Sequence, residues 1–231
     1  MKILALDTCT ETIDVAIVEN ETLLVEKRGK APRQQLTRLM PFIQASLEET
    51  AISIKDIDLI ALTTGPGSFT GIRLGLATAK TLSQLNDIPL VSVNTIDAVA
   101  VGAEETGIVI PSLDARKYEI FYGVYKLAEH EAKNLSGYKK VRIDDYIDFI
   151  NNLEYENFIL TGSILWRYKD RLEKEVSRPF KTTEEYLWTP RGEIIARIGR
   201  KLALEGKAAD YLHLEADYMR TWEAIPPKPL V

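Results

Sequence analysis

The sequence predicts an α/β protein of two lobes, each a mixed sheet flanked by helices, and three observations carry that prediction. The first thirty residues read as three strands in antiparallel succession. From residue 33 onward, amphipathic helices alternate with short apolar strands. The opening plan, an apolar strand ending in Asp, a turn and a second strand, returns a hundred residues later in "GIVIPSLDARKYEIFYGVYK". The two segments match in plan, not in letters. Three antiparallel strands followed by alternating helices and strands is the order of a ribonuclease-H-like fold, and its repetition implies two such lobes with a cleft between their Asp-bearing hairpins.

Each element has its own warrant. "KILALD" is almost continuously apolar, as a central strand covered on both faces must be, and "TIDVAIVE" and "TLLVEKR" follow around the two-residue turn "NE". Residues 33 to 49 place Leu36, Leu39, Met40, Ile43 and Leu47 at helical spacing, with Pro41 expected to kink the helix or mark where its regular part begins. "DLIALTT" is the next buried strand, then come a glycine loop, a helix to about Leu85, the strand "PLVSV" and a helix capped by Asn94 or Thr95. A helix from Asp144, the strand "NFILTG" and a helix from about Ser163 to Glu175 follow. Thr189 is expected to cap a last helix with Pro190 at its first position, Ile194, Ile195, Ile198 and Leu202 on one face and Gly206 past its end. The expected division is 1–104 for the first lobe, rejoined by helix 189–206, 105–188 for the second, and a proline-rich extended tail over 207–231.

A chain of 231 residues with 45% hydrophobic content can bury a substantial core. One cysteine, Cys9, excludes an internal disulfide, and two histidines, His130 and His213, are too few for a Cys/His metal cluster. No signal peptide or membrane span is expected, so the sequence reads as cytoplasmic. A net charge of -5 argues against autonomous nucleic-acid binding. The densest basic stretch carries Lys27, Arg28, Lys30 and Arg33, and reads as a solvated turn ahead of a phosphate contact.

The stretch "TTGPGSFTGIRLGLATAK" looks like a phosphate cradle but fails both tests for one. A P-loop needs Gly-Lys-Ser/Thr, whereas Gly71 is followed by Ile72 and Arg73; a dinucleotide fingerprint needs a third glycine where Thr70 stands. Its helix is more informative. Gly71, Gly75 and Ala79 form a line without side-chain bulk, and the helix is apolar nearly all round, which predicts cover on two sides. Either both covers are internal, or another chain's backbone approaches the small residues and the outer face is a docking surface; the second reading is preferred.

Together "ILALDTCTE", "TTGPGSFTGIRLGLATAKTLS", "IPLVSVNTIDAVA", "SLDARKYEIFYGVY" and "ADYMR" resemble the TsaB family, non-catalytic subunits of the bacterial complex that forms threonylcarbamoyladenosine in tRNA. The resemblance spans both halves. It implies a pair of lobes of the actin-like ATPase superfamily and a catalytic partner of TsaD type that carries the metal and modifies the adenosine beside the anticodon. It also implies a TsaE-type ATPase, a homodimer when the partner is absent, and tRNA contact only through the complex. On this basis no catalytic residue, metal or cofactor is expected in this chain. The residues expected at the partner face are Leu36, Leu39, Met40, Ile43 and Leu47 on the first helix, with Gly71, Arg73, Leu74, Gly75, Ala77 and Thr78 on the second. Asp7, Thr8, Asp114 and Gly162 are expected to line a vestigial nucleotide cleft. The sequence departs from the family at "QQLTRLMP", where many relatives carry His-Ser-Glu, and at Cys9, where Ser is common.

Two enzyme readings compete with the scaffold reading. A phosphotransferase of the same fold needs glycine after the first aspartate, yet Asp7 is followed by Thr8, and its paired-glycine adenosine loop is reduced to Gly162. Asp7 and Asp114 could still share magnesium, but each serves as well to cap its turn. A peptidase would use Ser68 or Cys9, neither of which has a histidine near it in sequence.

Overall fold

The computed structural model describes residues 1–30, 35–128 and 131–219, with Glu131 described by its backbone alone. Arg33, His130 and the tail from Arg220 onward, on which sequence expectations were placed, lie outside the described residues. Two mixed sheets organise the chain. In the first, β1 (Lys2–Asp7), β2 (Thr12–Glu19) and β3 (Thr22–Lys30) form the two expected hairpins, and β4 (Leu59–Thr63) and β5 (Leu90–Val93) add in parallel to give the order β3-β2-β1-β4-β5. Asn20, in the turn between β2 and β3, has φ 57, a left-handed value that asparagine tolerates well. Strands β1 and β4 are buried almost throughout, which is why their sequences are continuous apolar runs rather than alternating ones.

The second sheet repeats this plan with one change. Strand β6 (Gly107–Arg116) pairs antiparallel with β7 (Glu119–Tyr122) through its C-terminal half and with β8 (Tyr125–Ala128) through its N-terminal half. The second strand of this hairpin, expected to be continuous, therefore breaks at Gly123, where a Cβ would press on the Tyr125 ring. Strands β9 (Glu131–Asn134) and β10 (Lys139–Arg142) extend the two branches, and β11 (Ile159–Thr161) and β12 (Lys181–Thr182) add in parallel on the other side of β6.

Helices α1 (Gln35–Thr50) and α2 (Phe69–Asn86) cover one face of the first sheet, while α4 (Ile143–Asn151) and α5 (Leu165–Glu175) belong to the core of the second. Pro41 lies inside α1 and does not end it. The connecting helices reach across. Helix α3 (Thr95–Val101), capped by the Asn94 side chain, buries Ile96, Val99 and Ala100 among Val109, Leu113 and Phe121 of the second half. Helix α6 (Gly192–Leu204) places Ile195 and Ala196 on Ala5, Ala16 and Ala61 of the first sheet.

Thr189 does not cap α6, which starts at Gly192 after Arg191. Its hydroxyl instead accepts from Thr12 and Arg28, because the chain between β12 and α6 runs along the end of β3 before it turns into the helix. Beyond α6, the segment to Met219 lies across the first half: Ala209 bridges Leu90, Leu214 enters the first core and Asp217 N–H donates to Thr64 O.

Candidate functional site

The first place to look is the cleft between the two Asp-bearing turns. Asp7, at the end of β1, is fully buried and accepts from Cys9 N–H (3.0 Å), the Thr10 hydroxyl (3.0 Å) and the Thr63 hydroxyl (2.5 Å). Burial pushes its pKa up, against the opposing pull of those hydrogen bonds. Its oxygens thus serve the turn itself. Thr8 donates its hydroxyl to Gly71 O at 2.7 Å, pinning the turn to α2. Asp114 accepts from Arg116 N–H (2.9 Å) and from Arg167 (3.3 Å), and Arg116 pairs with Glu11 at 3.1 Å between the two turns. Gly162 has φ 111 and sits so close to the Ser112 carbonyl that a Cβ would overlap it, so this glycine lets the β11–α5 turn pass β6.

What space remains is a cavity of about 190 Å³ bordered by Cys9, Thr10, Ser68, Asp114, Arg116 and Ser163. That is below the roughly 300–1,000 Å³ of small-molecule pockets. Among the described residues, no group of three or more His, Cys, Asp or Glu is placed to hold a metal ion. The two nucleophile candidates both have structural duties. Cys9 Sγ–H donates to Thr63 O, and burial, with a further push from Asp7, raises its pKa to about 12, leaving a thiol rather than a thiolate. Ser68 caps α2, its oxygen accepting from Gly71 N–H at 3.2 Å. His213 is paired with Asp210 on the exposed C-terminal segment.

The second place is the outer surface of α1 and α2, and here the structure divides the expected residues. Leu39 and Ile43 are buried in the chain's own core, and Leu47 and Leu74 are half-buried against it. Gly71 and Gly75 are buried too: a Cβ on Gly71 would overlap the Thr8 carbonyl, and one on Gly75 would meet the Thr8 hydroxyl. The line of small residues does admit a close backbone, but that backbone is the β1–β2 turn of the same chain. These four residues, Leu39, Ile43, Gly71 and Gly75, are therefore not open to a partner. Gly65 and Gly67 likewise face carbonyls of Asp217 and Cys9, and Ser68 N–H is taken by Cys9 O, which uses the loop for packing rather than for anion binding.

Exposed on these helices are Leu36 (75%), Met40 (49%) and Leu85 (74%), together with Arg73 and Ala77, with Thr78 half-buried beside them. Arg73 lies 3.8 Å above the Phe69 ring and donates to the Tyr218 hydroxyl at 3.2 Å, so the C-terminal segment borders this face. Leu85 and Tyr218 were not singled out by sequence. Leu85 could have been, as an apolar residue on the same flank of the helix as Leu74, Ala77 and Thr78. Tyr218 could not, since nothing local ties residue 218 to Arg73.

Two mixed sheets, each packed against helices and each built around a hairpin that ends in an Asp-bearing turn, define an α/β protein with a repeated strand plan. The chain belongs to the family whose model, described as "TsaD: tRNA N6-adenosine threonylcarbamoyltransferase", matches residues 17–181. It is 27% identical to the tRNA threonylcarbamoyladenosine biosynthesis protein TsaB of Bacillus subtilis (strain 168), over 97% of this chain and 96% of that protein. It is 29% identical to the protein of the same name from Escherichia coli (strain K12), over 99% of this chain and 100% of the other. The solved structure of YeaZ from Pseudomonas aeruginosa shares the fold with a TM-score of 0.78 at 22% identity, covering 94% of this chain and 99% of that one.

Proposed function

We propose that this chain serves tRNA threonylcarbamoyladenosine biosynthesis as a non-catalytic subunit, docking a TsaD-type enzyme through the exposed surface of α1 and α2. The observation that carries this reading is the exposure of Leu36, Met40 and Leu85 on adjoining helices, in a chain whose cleft side chains are spent on its own turns. Isolated exposed leucines are ordinary, but Leu36 and Met40 stand one turn apart on the same side of α1, and their burial is favourable at roughly 25 cal/mol per Å². The names of the full-length relatives support the pathway, and the family model supports kinship with the enzyme.

On this reading Leu36, Met40, Arg73, Ala77, Thr78 and Leu85 contact the enzyme, or a second copy of this chain when the enzyme is absent. A TsaE-type ATPase joins the assembly, tRNA is met through the complex, and the setting is the cytoplasm. The test is sedimentation of the purified chain mixed with its cognate TsaD-type subunit. A stoichiometric complex is expected, and Met40→Asp should weaken it by about tenfold or more, since a carboxylate desolvated at an interface costs several kcal/mol. Absence of a complex at micromolar concentrations would overturn the proposal.

A further inference from the structure

A second cavity, of about 370 Å³, opens at the seam between the end of β3 and the segment from β12 to α6, and its border includes Arg28, Lys30, Trp166, Tyr186 and Thr189. Its size falls within the roughly 300–1,000 Å³ of small-molecule pockets. Lys30 Nζ sits 4.7 Å from the centroid of the Trp166 ring. One carboxylate oxygen, Glu185 Oε1, accepts from both Lys30 Nζ (2.7 Å) and Trp166 Nε1 (2.8 Å). The Lys30 and Glu185 side chains are 61% and 57% exposed, so their pairing is solvated and readily exchanged. Tyr186 is more than half exposed. Arg28 donates to Thr189 O at 3.1 Å, and its Nε lies 3.4 Å from Asp14 Oδ2 behind it. Burial first, then the neighbouring Glu26, pushes the Asp14 carboxyl well above the usual range, against the opposing pull of Arg28.

Two aromatic side chains and two cations converge on one concave site. An aromatic face suits a nucleobase, because every base offers a π-face to stack on, and a guanidinium beside an ammonium suits a phosphate. We propose that this pocket binds a nucleotide with an unpaired base, the base against Trp166 and Tyr186 and the phosphate on Arg28 and Lys30. On binding, the Lys30 ammonium leaves the Trp166 face and the Glu185 carboxylate for the phosphate, and the base takes its place over the ring. Glu185 is then the opposing charge. The same chemistry is offered by a free mononucleotide or by a nucleotide within single-stranded RNA. No residue of the proposed enzyme-docking face borders this pocket, so the two proposals stand or fall separately.

The test is tryptophan fluorescence of the full chain at low salt, titrated in separate arms with adenosine 5′-monophosphate and with a hexaadenylate RNA. Saturable quenching is expected. Lys30→Ala should weaken binding about tenfold, and Tyr186→Ala about five- to a hundredfold, the span of one base stack. Glu185→Gln should tighten it. Calorimetry on Trp166→Phe should show the weakening without relying on the lost reporter. The side chains of Lys30, Tyr186 and Glu185 are each more than half exposed, so these three variants leave the cores intact. Saturation with the mononucleotide and no gain from the hexamer assigns a free nucleotide. Tighter binding of the hexamer with a steep salt dependence assigns an RNA strand. No saturation with either probe up to about 10 mM, a range that reaches past millimolar affinity, would overturn the proposal. So would binding that Lys30→Ala, Tyr186→Ala and Glu185→Gln all leave unchanged.

Discussion

Gly71→Ala should destabilise the isolated chain, although alanine is the better helix former. In α2 the substitution gains roughly 0.8–1 kcal/mol of helix propensity. Against this, the new Cβ would overlap the Thr8 carbonyl, a backbone atom in a turn already held by Asp7 and by the Thr8–Gly71 hydrogen bond. Overpacking costs about 1–3 kcal/mol and more where backbone must shift. The net is a loss of roughly 2 kcal/mol, or about 4–8 °C in Tm for a chain of this size. Thermal unfolding followed by circular dichroism measures it, with Thr81→Ala on the exposed side of the same helix as a control expected within about 0.5 kcal/mol of the parent. A Gly71→Ala chain as stable as the parent would show that the glycine line is not closed by Thr8 and would reopen it as a surface for another chain.

Further outcomes follow from the same geometry. Asp7→Ala should cost several kcal/mol, because Cys9 N–H and the hydroxyls of Thr10 and Thr63 lose their acceptor; denaturant unfolding reads this directly, and added magnesium should not raise the parent's midpoint. Cys9 should resist iodoacetamide at pH 8 in the folded chain and react fully in denaturant. Its raised pKa also makes the folded state lose stability as pH rises from the ordinary thiol value of 9.0 toward about 12, since only the unfolded thiol ionises in that window; a Cys9→Ala chain should show a shallower alkaline decline in urea melts. Ser68→Ala should cost about 1 kcal/mol as a lost helix cap, visible in Tm, and leave adenosine modification by the assembled complex nearly intact.

The fold was legible because the local signals agreed with the global plan. Continuous apolar runs in β1 and β4, the "NE" turn and the Asn94 cap all stand where the sequence places them. The break at Gly123 was hidden because β7 and β8 share one apolar run, and what separates them is a change of partner along β6, a tertiary fact. The start of α6 was hidden in the same way. Thr189 and Pro190 carry every local sign of a helix start, yet Thr189 is held by Arg28, 161 positions away. The glycine line correctly announced a close backbone approach, but helix periodicity cannot say whose backbone arrives. Four of the residues first placed at a partner face therefore turned inward, while Leu36, Met40, Arg73 and Ala77 remain outside.

The measurement that tests the central claim most directly is adenosine modification in a reconstituted system. It is supplied with threonylcarbamoyl-adenylate, tRNA, the TsaD-type subunit, the TsaE-type ATPase and this chain. Leu36→Asp together with Met40→Asp should leave the chain folded, because both side chains are exposed, and should lower modification in parallel with loss of the complex. Raising the subunit concentration should partly restore it, since each 1.4 kcal/mol of lost binding is about a tenfold change in affinity. Full modification by that double variant, alongside none with a folded Ser68→Ala or Cys9→Ala chain, would contradict the account and place chemistry in this chain's own cleft.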